Sequence, residues 1–329
     1  MTVQKSFFSS RAWLAVKIFV SAALLAALIG RADLQEVVRS MASTSPVSAL
    51  MAFLVALVSW AVNTLKWQRL LEAMEYRLRY SSLFGLNLIG LFYSLLLPGQ
   101  ISGEVVKGIK LGRSGVPAGV VAATIGADRI GGVAAICLWV IVGLLLSPAS
   151  AALAVPLLLI AVLLLLVSCA PFLLLKAGAI GARYESIIRK LGYPGRILLS
   201  LMSTLKTFST LKDRKVILIT LLLSLLSQLL VALSNFIVAG GMGVDISFVT
   251  MLWIVSAVSL VHMAPISFAG LGVREGAYVF LLHEHGVPVP VALTLSLTVF
   301  AIILLQGLLG GALEMLGHRG SVKTSVGQI

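Results

Sequence analysis

Apolar residues run through this chain in six long blocks: Trp13–Gly30, Val47–Leu65, Pro117–Leu146, Ala152–Leu175, Val216–Gly240 and Pro288–Leu313. Each has the roughly 18 to 20 residues that a helix needs to cross a bilayer. Runs of this length are not buried strands of a soluble fold. Two further apolar stretches, Leu83–Leu97 and Phe248–Ala264, are shorter, and each ends at a proline followed by glycines. Composition agrees with the pattern: 59% of residues are hydrophobic, 11% are charged, and mean hydropathy is +1.08. Soluble domains carry about 25% charged residues. The pattern predicts an all-α polytopic membrane protein.

The positions of the charges decide what the two short stretches do. If all eight apolar segments cross, the cluster Lys66, Arg69, Arg77, Arg79 faces away from Lys107, Lys110, Arg113. If both short stretches are re-entrant and the N-terminus lies inside, 21 of the 25 Lys and Arg fall on the inner side. Three lie in the N-terminal tail, seven between Lys66 and Arg113, nine between Lys176 and Lys215, and two in the C-terminal tail. Arg31, Arg39 and Arg274 stay outside, and Arg129 sits within a span. The positive-inside rule therefore favours six full transmembrane helices plus two re-entrant hairpins, with both termini cytoplasmic. Irregular backbone at membrane depth needs protein or a watery cavity to satisfy it, so two hairpins imply a cavity.

The net charge of +13 raises the question of nucleic acid. Its distribution over short loops between apolar blocks points instead to topology and anionic lipid, with no nucleic-acid partner. Cys137 and Cys169 lie inside apolar runs and read as packing residues, with neither a disulfide framework nor a metal site implied. Lys5, Arg11 and Lys17 precede Ile18–Ile29 as in a signal peptide, but no small-x-small cleavage pattern follows, so a retained first helix is expected. Between residues 176 and 215, Ile197, Leu198, Leu201, Leu205, Phe208 and Leu211 recur at helical spacing, predicting an amphipathic helix on the inner leaflet.

The hairpins resemble one another. The first reads Pro98, Gly99, Gly103, Glu104, Lys107, and then Gly115-Val116-Pro117 opens the next span. The second reads Pro265, Gly270, Gly272, Arg274, Glu275, and then Gly286-Val287-Pro288 opens the next. The topology puts one on each side of the membrane, which is the pattern of an inverted-repeat transporter with its site near the midplane. The expected organisation is one integral membrane domain over 1–329, with repeat 1 at about 47–146, a cytoplasmic connector at about 176–215, and repeat 2 at about 216–313.

Helix starts after such breaks leave free N–H groups and the positive end of the helix dipole, which suit a phosphate. Lys107 and Arg274 follow the breaks and are candidates to hold it from two sides. For Lys107 the plainer reading is an inner-face topology signal; Arg274, on the outer side, opposes that trend. Glu104 and Glu275 are candidates to neutralise these bases, accept a proton, contact a substrate amine, or lock the hairpins structurally. Asp128-Arg129 falls about 16 to 18 Å into its helix at 1.5 Å per residue. Ionised groups there mark function by default, with a structural ion pair as the alternative. Asn63, Lys66, Gln228 and Asn235 are secondary cavity candidates. Lys66 and Trp67 otherwise read as interface anchors, and Gln228 and Asn235, seven apart, as a shared face that bonds between helices. His283-Glu284-His285 reads as solvated surface, and no cofactor or metal is implied.

These residues resemble the transmembrane, flippase-like region of the lysylphosphatidylglycerol synthetases and their stand-alone relatives, a prokaryotic inner-membrane family. The likeness is carried by Asn63, Lys66-Trp67, "LPGQISGEVVKG" from Leu97, Asp128-Arg129 and "PISFAGLGVREG" from Pro265. It covers about residues 10 to 315. The family's acidic-Arg pair is often Glu-Arg, and its late motif usually has Pro-Gly where this chain has Phe268-Ala269. No aminoacyl-transfer domain is expected in the 16 residues after Leu313. The resemblance implies translocation of a phospholipid, an aminoacylated phospholipid or a polyprenyl-phosphate-linked sugar across the inner membrane, and not lysyl transfer. The partners expected are lipids with anionic head groups; a homo-oligomer or a glycosyltransferase partner stays open. A membrane-embedded enzyme is the first alternative, but HExxH, a nucleophile elbow and an Asp-rich metal motif are all missing. A small-anion transporter is the second. Without a GxxxxGK[ST] loop, ATP is not the direct driver unless a partner supplies it, and a proton gradient acting through Glu104, Asp128 or Glu275, or plain downhill scrambling, would suffice.

Overall fold

The computed structural model describes residues 44–97, 102–147, 151–176, 214–263 and 271–317, together with Gln35 and Arg39. Among the described residues every regular element is an α-helix. In chain order these are α1 (Pro46–Glu72), α2 (Tyr80–Leu96), α3 (Ser102–Arg113), α4 (Ala118–Leu146), α5 (Ala151–Lys176), α6 (Arg214–Gly241), α7 (Phe248–His262), α8 (Val273–His283) and α9 (Val289–Met315). The predicted span Trp13–Gly30, most of the predicted connector and the hairpin residues Pro98, Gly99, Pro265 and Gly270 lie outside the described residues. The chain is a multi-pass membrane protein: α1, α4, α6 and α9 are each long and apolar enough to cross a bilayer.

The helix limits follow local chemistry. Pro46 opens α1, and the Ser45 side chain accepts from the Ser48 amide; Ser247 caps α7 by accepting from Thr250 N at 3.1 Å. Such caps satisfy amides that the helix itself leaves free. Pro117 and Pro288 sit at the N-caps of α4 and α9. One predicted boundary is corrected. The span expected to stop at Leu65 continues to Glu72, because Trp67, Leu70 and Leu71 are buried in the fold rather than held at an interface.

Two turns recur along the chain with the same hydrogen bonds. Between α1 and α2, Glu75 N donates to Glu72 O and Tyr76 N to Leu71 O; 168 positions later Gly243 N donates to Gly240 O and Val244 N to Ala239 O. Glu75 and Gly243 hold the same left-handed backbone, at φ 69° and 72°. Gly243 adopts it freely, whereas Glu75 takes it as a non-glycine residue. Between α3 and α4, Ser114 N donates to Leu111 O and Gly115 N to Gly112 O; 171 positions later His285 N donates to Leu282 O and Gly286 N to His283 O.

Packing recurs in the same way. The pairings α2 with α9 and α4 with α7 are matched, as are α2 with α3 and α7 with α8, and α1 with α4 and α6 with α9. Helices α1 and α6 run antiparallel: Ser45 N donates to Gly241 O, Ser234 Oγ donates to Ala52 O, and Ser59 meets Ser227. That last contact is reciprocal. Ser59 Oγ donates to Ser227 O at 3.0 Å and Ser227 Oγ to Ser59 O at 3.4 Å, and the two serines are themselves 168 positions apart.

The short helices lie inside. Every residue of α7 from Thr250 to Val258 is buried, and so is α2 from Gly85 to Gly90. A helix apolar on every side belongs in an interior. Small residues permit this closeness: a Cβ on Gly310 of α9 would collide with the Leu88 carbonyl of α2. The long helices turn their remaining leucines outward, with Leu50, Leu54 and Val58 on α1 and Leu218, Leu222 and Leu226 on α6 exposed. In a bilayer these stripes face lipid.

Candidate functional site

A cavity of about 270 Å³ opens between α1, α2, α3, α4 and α6. Helical periodicity aims the side chains at it. From α1 come Trp60, Asn63 and Lys66, at spacings of three; from α2 come Asn87, Gly90, Leu91 and Ser94, one face of two turns. The third helix adds Glu104 and Lys107, the fourth Asp128, Arg129 and Gly132, and the sixth Ser224, Ser227 and Gln228. Leu91, Val133, Ile136 and Met263 make an apolar wall.

Five charged groups share this space. Lys66 Nζ lies 3.0 Å from Asp128 Oδ1, with both side chains nearly dry. Arg129 Nε donates to Glu104 Oε1, and this pair is more open, with the arginine side chain 43% exposed. Both carboxylates are thereby engaged. Lys107 is buried and has neutral company: its Nζ donates to Asn87 Oδ1 at 3.0 Å and lies 4.2 Å from the centre of the Trp67 ring. Asn87 presents its oxygen because its amide nitrogen donates to Thr64 Oγ1 at 2.9 Å. The cavity therefore holds three cations against two carboxylates. Burying such an excess is costly unless an anion joins it.

The sequence candidates divide between two places. Glu104, Lys107, Asp128, Arg129, Asn63, Lys66 and Gln228 line the cavity, and Gly103 is at its edge. The two charges of Asp128-Arg129 pair with other helices and not with each other. Lys66 and Trp67 are buried rather than anchored at an interface. Gln228 also reaches Ser256 and Ser259 on α7. Arg274, Glu275 and Asn235 are elsewhere, in a closed cluster around α8. Glu275 is ion-paired with Arg274 and accepts from Gly272 N, which caps the helix. The Arg274 guanidinium lies 4.5 Å from the centre of the Phe300 ring, and Tyr278 Oη donates to Asn235 Oδ1 at 2.7 Å.

Three cavity features escaped the sequence reading. Asn87 sits in a short apolar stretch with no charge beside it, and Ser94 and Ser227 look like ordinary span residues. Only the α2 spacing of Asn87, Gly90, Leu91 and Ser94 hinted at a shared face. Of the histidine group, His283 and Glu284 are exposed, while His285 packs edge-on to Trp253. Its burial holds the imidazole below the usual range, against the opposing pull of Glu284. Among the described residues no group of His, Cys, Asp and Glu could hold a metal ion.

The lysylphosphatidylglycerol synthase TM region family model matches residues 14–311. This chain belongs to that family. The match spans every helix from α1 to α8 and most of α9, so all five charged cavity residues are part of the lysylphosphatidylglycerol synthase TM region. No curated protein and no solved structure matches the chain.

Proposed function

We propose that the chain is a lipid translocase, in which a phosphate-bearing head group enters the cavity between α1, α2, α3, α4 and α6 while the acyl chains stay in the bilayer. The observation that carries this reading is the uncompensated cation. Lys107 is buried beside an amide oxygen and an indole face, with both nearby carboxylates already paired, and one phosphate charge would complete the balance. Leu91, Val133 and Ile136 offer an apolar wall to the parts of the lipid next to the head group.

The architecture that goes with this function is an inverted repeat, α1 to α4 and α6 to α9. Its supports are the recurring turns, the matched pairings and the antiparallel course of α1 and α6, the first helix of each unit. The reciprocal contact of Ser59 and Ser227 is what a two-fold axis produces. At 1.5 Å per residue, the 17 residues of α2 and 15 of α7 reach about 25 and 22 Å, short of the ~30 Å hydrocarbon core. Six crossings and two re-entrant hairpins fit these lengths, with the chain in the inner membrane and both termini cytoplasmic. On this reading the protein is a translocase and not an enzyme, and its partners are anionic lipids.

Purified protein in liposomes tests the proposal, with labelled phosphatidylglycerol, an aminoacylated phospholipid and a polyprenyl phosphate presented in turn. Faster exchange between leaflets of at least one of them than in protein-free vesicles is expected. Movement of none overturns the reading, and movement of free phosphate at the same rate would make the protein a soluble-anion transporter.

A further inference from the structure

The two units differ in what they place at matching positions. With the 171-residue offset of the turn after α3, Glu104 matches Glu275, Arg129 matches Phe300, and Lys107 matches Tyr278. With the 168-residue offset of the first turn, Trp67 matches Asn235. The contacts correspond as well. Lys107 lies on Trp67 in the first unit, and Tyr278 donates to Asn235 in the second. Glu104 meets the guanidinium of Arg129 on the next helix. Glu275 meets the guanidinium of Arg274, which comes from its own helix and lies over the ring of Phe300, the match of Arg129. The second unit thus sets a carboxylate and a guanidinium where the first does, with the arginine supplied from α8.

What separates the two pairs is access. Arg129 is 43% exposed at the cavity, whereas the Arg274 and Glu275 side chains are 6% and 0% exposed. Among the described residues the Nε of Arg274 is buried with no hydrogen-bond partner. Arginine presents five donors in a planar fork, and an anion is the ligand that would use the orphaned one. A buried donor without an acceptor is costly, so the site is incomplete as it stands.

We propose that Arg274 and Glu275 form a second head-group station for a phosphate-bearing lipid, closed in this conformation and opened to the opposite leaflet when the two units exchange their conformations. This rests on the translocase reading. In the exchanged state the gap beside α3 and α4 closes and its counterpart beside α8 and α9 opens. Arg274 then meets the phosphate with the Nε–H that has no acceptor now. In a chain of two inversely related units each unit can take the other's conformation, which gives alternating access around one axis.

The test uses the full chain with Cys137 and Cys169 replaced by alanine, reconstituted in phosphatidylglycerol-containing liposomes. Single cysteines are placed at Gly132→Cys, where a side chain meets open space in the cavity, and at Val299→Cys, the buried match of Asp128. A membrane-impermeant maleimide should label the two from opposite faces, Val299→Cys more slowly. Arg274→Gln should lower phosphatidylglycerol exchange by about tenfold, as the loss of one charge-assisted contact implies. Adding Phe300→Arg, which returns the cation to the position used by the first unit, should restore exchange, a rescue that a folding defect does not give. Labelling of both cysteines from the same face, or none at Val299→Cys, overturns the station, as does unchanged exchange in Arg274→Gln. Labelling from opposite faces without lipid movement would retain the two conformations and sink the translocase reading instead. Lipid movement with Val299→Cys unlabelled would retain the translocase and sink the station.

Discussion

Lys66, Lys107, Asp128 and Arg129 look alike in the sequence, as charges in or near apolar blocks, but their surroundings give them different work. The pair of Lys66 and Asp128 is nearly dry. Removing one partner of such a pair leaves a buried charge uncompensated, at a cost of about 3–5 kcal/mol, whereas neutralising both is far better tolerated. Lys66→Met should therefore lower the thermal unfolding midpoint in detergent strongly, and Lys66→Met with Asp128→Asn should recover most of the loss. Among the described residues Lys107 is in no ion pair: the carboxylates that attract it, Asp128 and Glu104, are held by Lys66 and Arg129 and keep those partners when Lys107 is removed. Lys107→Met should leave the unfolding midpoint unchanged or raised, since an apolar chain of similar length replaces a buried cation, while lipid exchange falls to the level of empty vesicles. Loss of stability in Lys107→Met equal to that in Lys66→Met would assign Lys107 a structural role.

Among the elements, the short buried helices α2 and α7 depend on close approach rather than on length. Gly310 lets α9 lie directly on the Leu88 carbonyl, and Gly143 gives the same freedom to α4 against Trp253 of α7. Such close approaches, which only small residues allow, do much to associate helices in lipid, where there is no hydrophobic drive between them. Gly310→Val should force α2 and α9 apart and destabilise the protein by about 1–3 kcal/mol, the usual cost of overpacking. Gly132→Val, at a position with open space, should cost much less in the same unfolding measurement. Equal losses would mean that helix propensity, and not packing, sets the effect.

For the whole molecule, the reciprocal contact of Ser59 and Ser227 joins α1 to α6, the first helices of the two proposed units. Their hydroxyl oxygens are 3.0 Å apart, so cysteines at both positions are expected to cross-link under oxidation. On the proposed inverted repeat this contact lies on the axis and is the same in both proposed conformations, so the cross-linked protein should still exchange lipid; arrest by the cross-link, reversed by reductant, would move the pivot elsewhere. Most of the helical fold was legible in the sequence because a bilayer span needs long apolar blocks: four of the predicted spans reappear as the membrane-length helices α1, α4, α6 and α9, and a fifth, Ala152–Leu175, as the helix α5. The limit of α1 was not legible, because Lys66 reads as an interface signal until Asp128 is seen beside it. The spacing of charge and glycine also named Glu104, Lys107, Asp128 and Arg129, since ionised groups among apolar residues stand out by their cost. Which of them share a cavity was decided by tertiary structure alone. Side chains from five helices meet there, and Asn87, the oxygen that holds Lys107, sits in a stretch with no charge near it. The sequence by itself determined that the chain is helical, apolar and studded with a few costly charges, because those are properties of residues and their spacing. Pairing is a property of distances between helices, so only the fold decided that Lys66 answers Asp128, that Glu104 answers Arg129, and that Arg274 and Glu275 are closed away from the cavity.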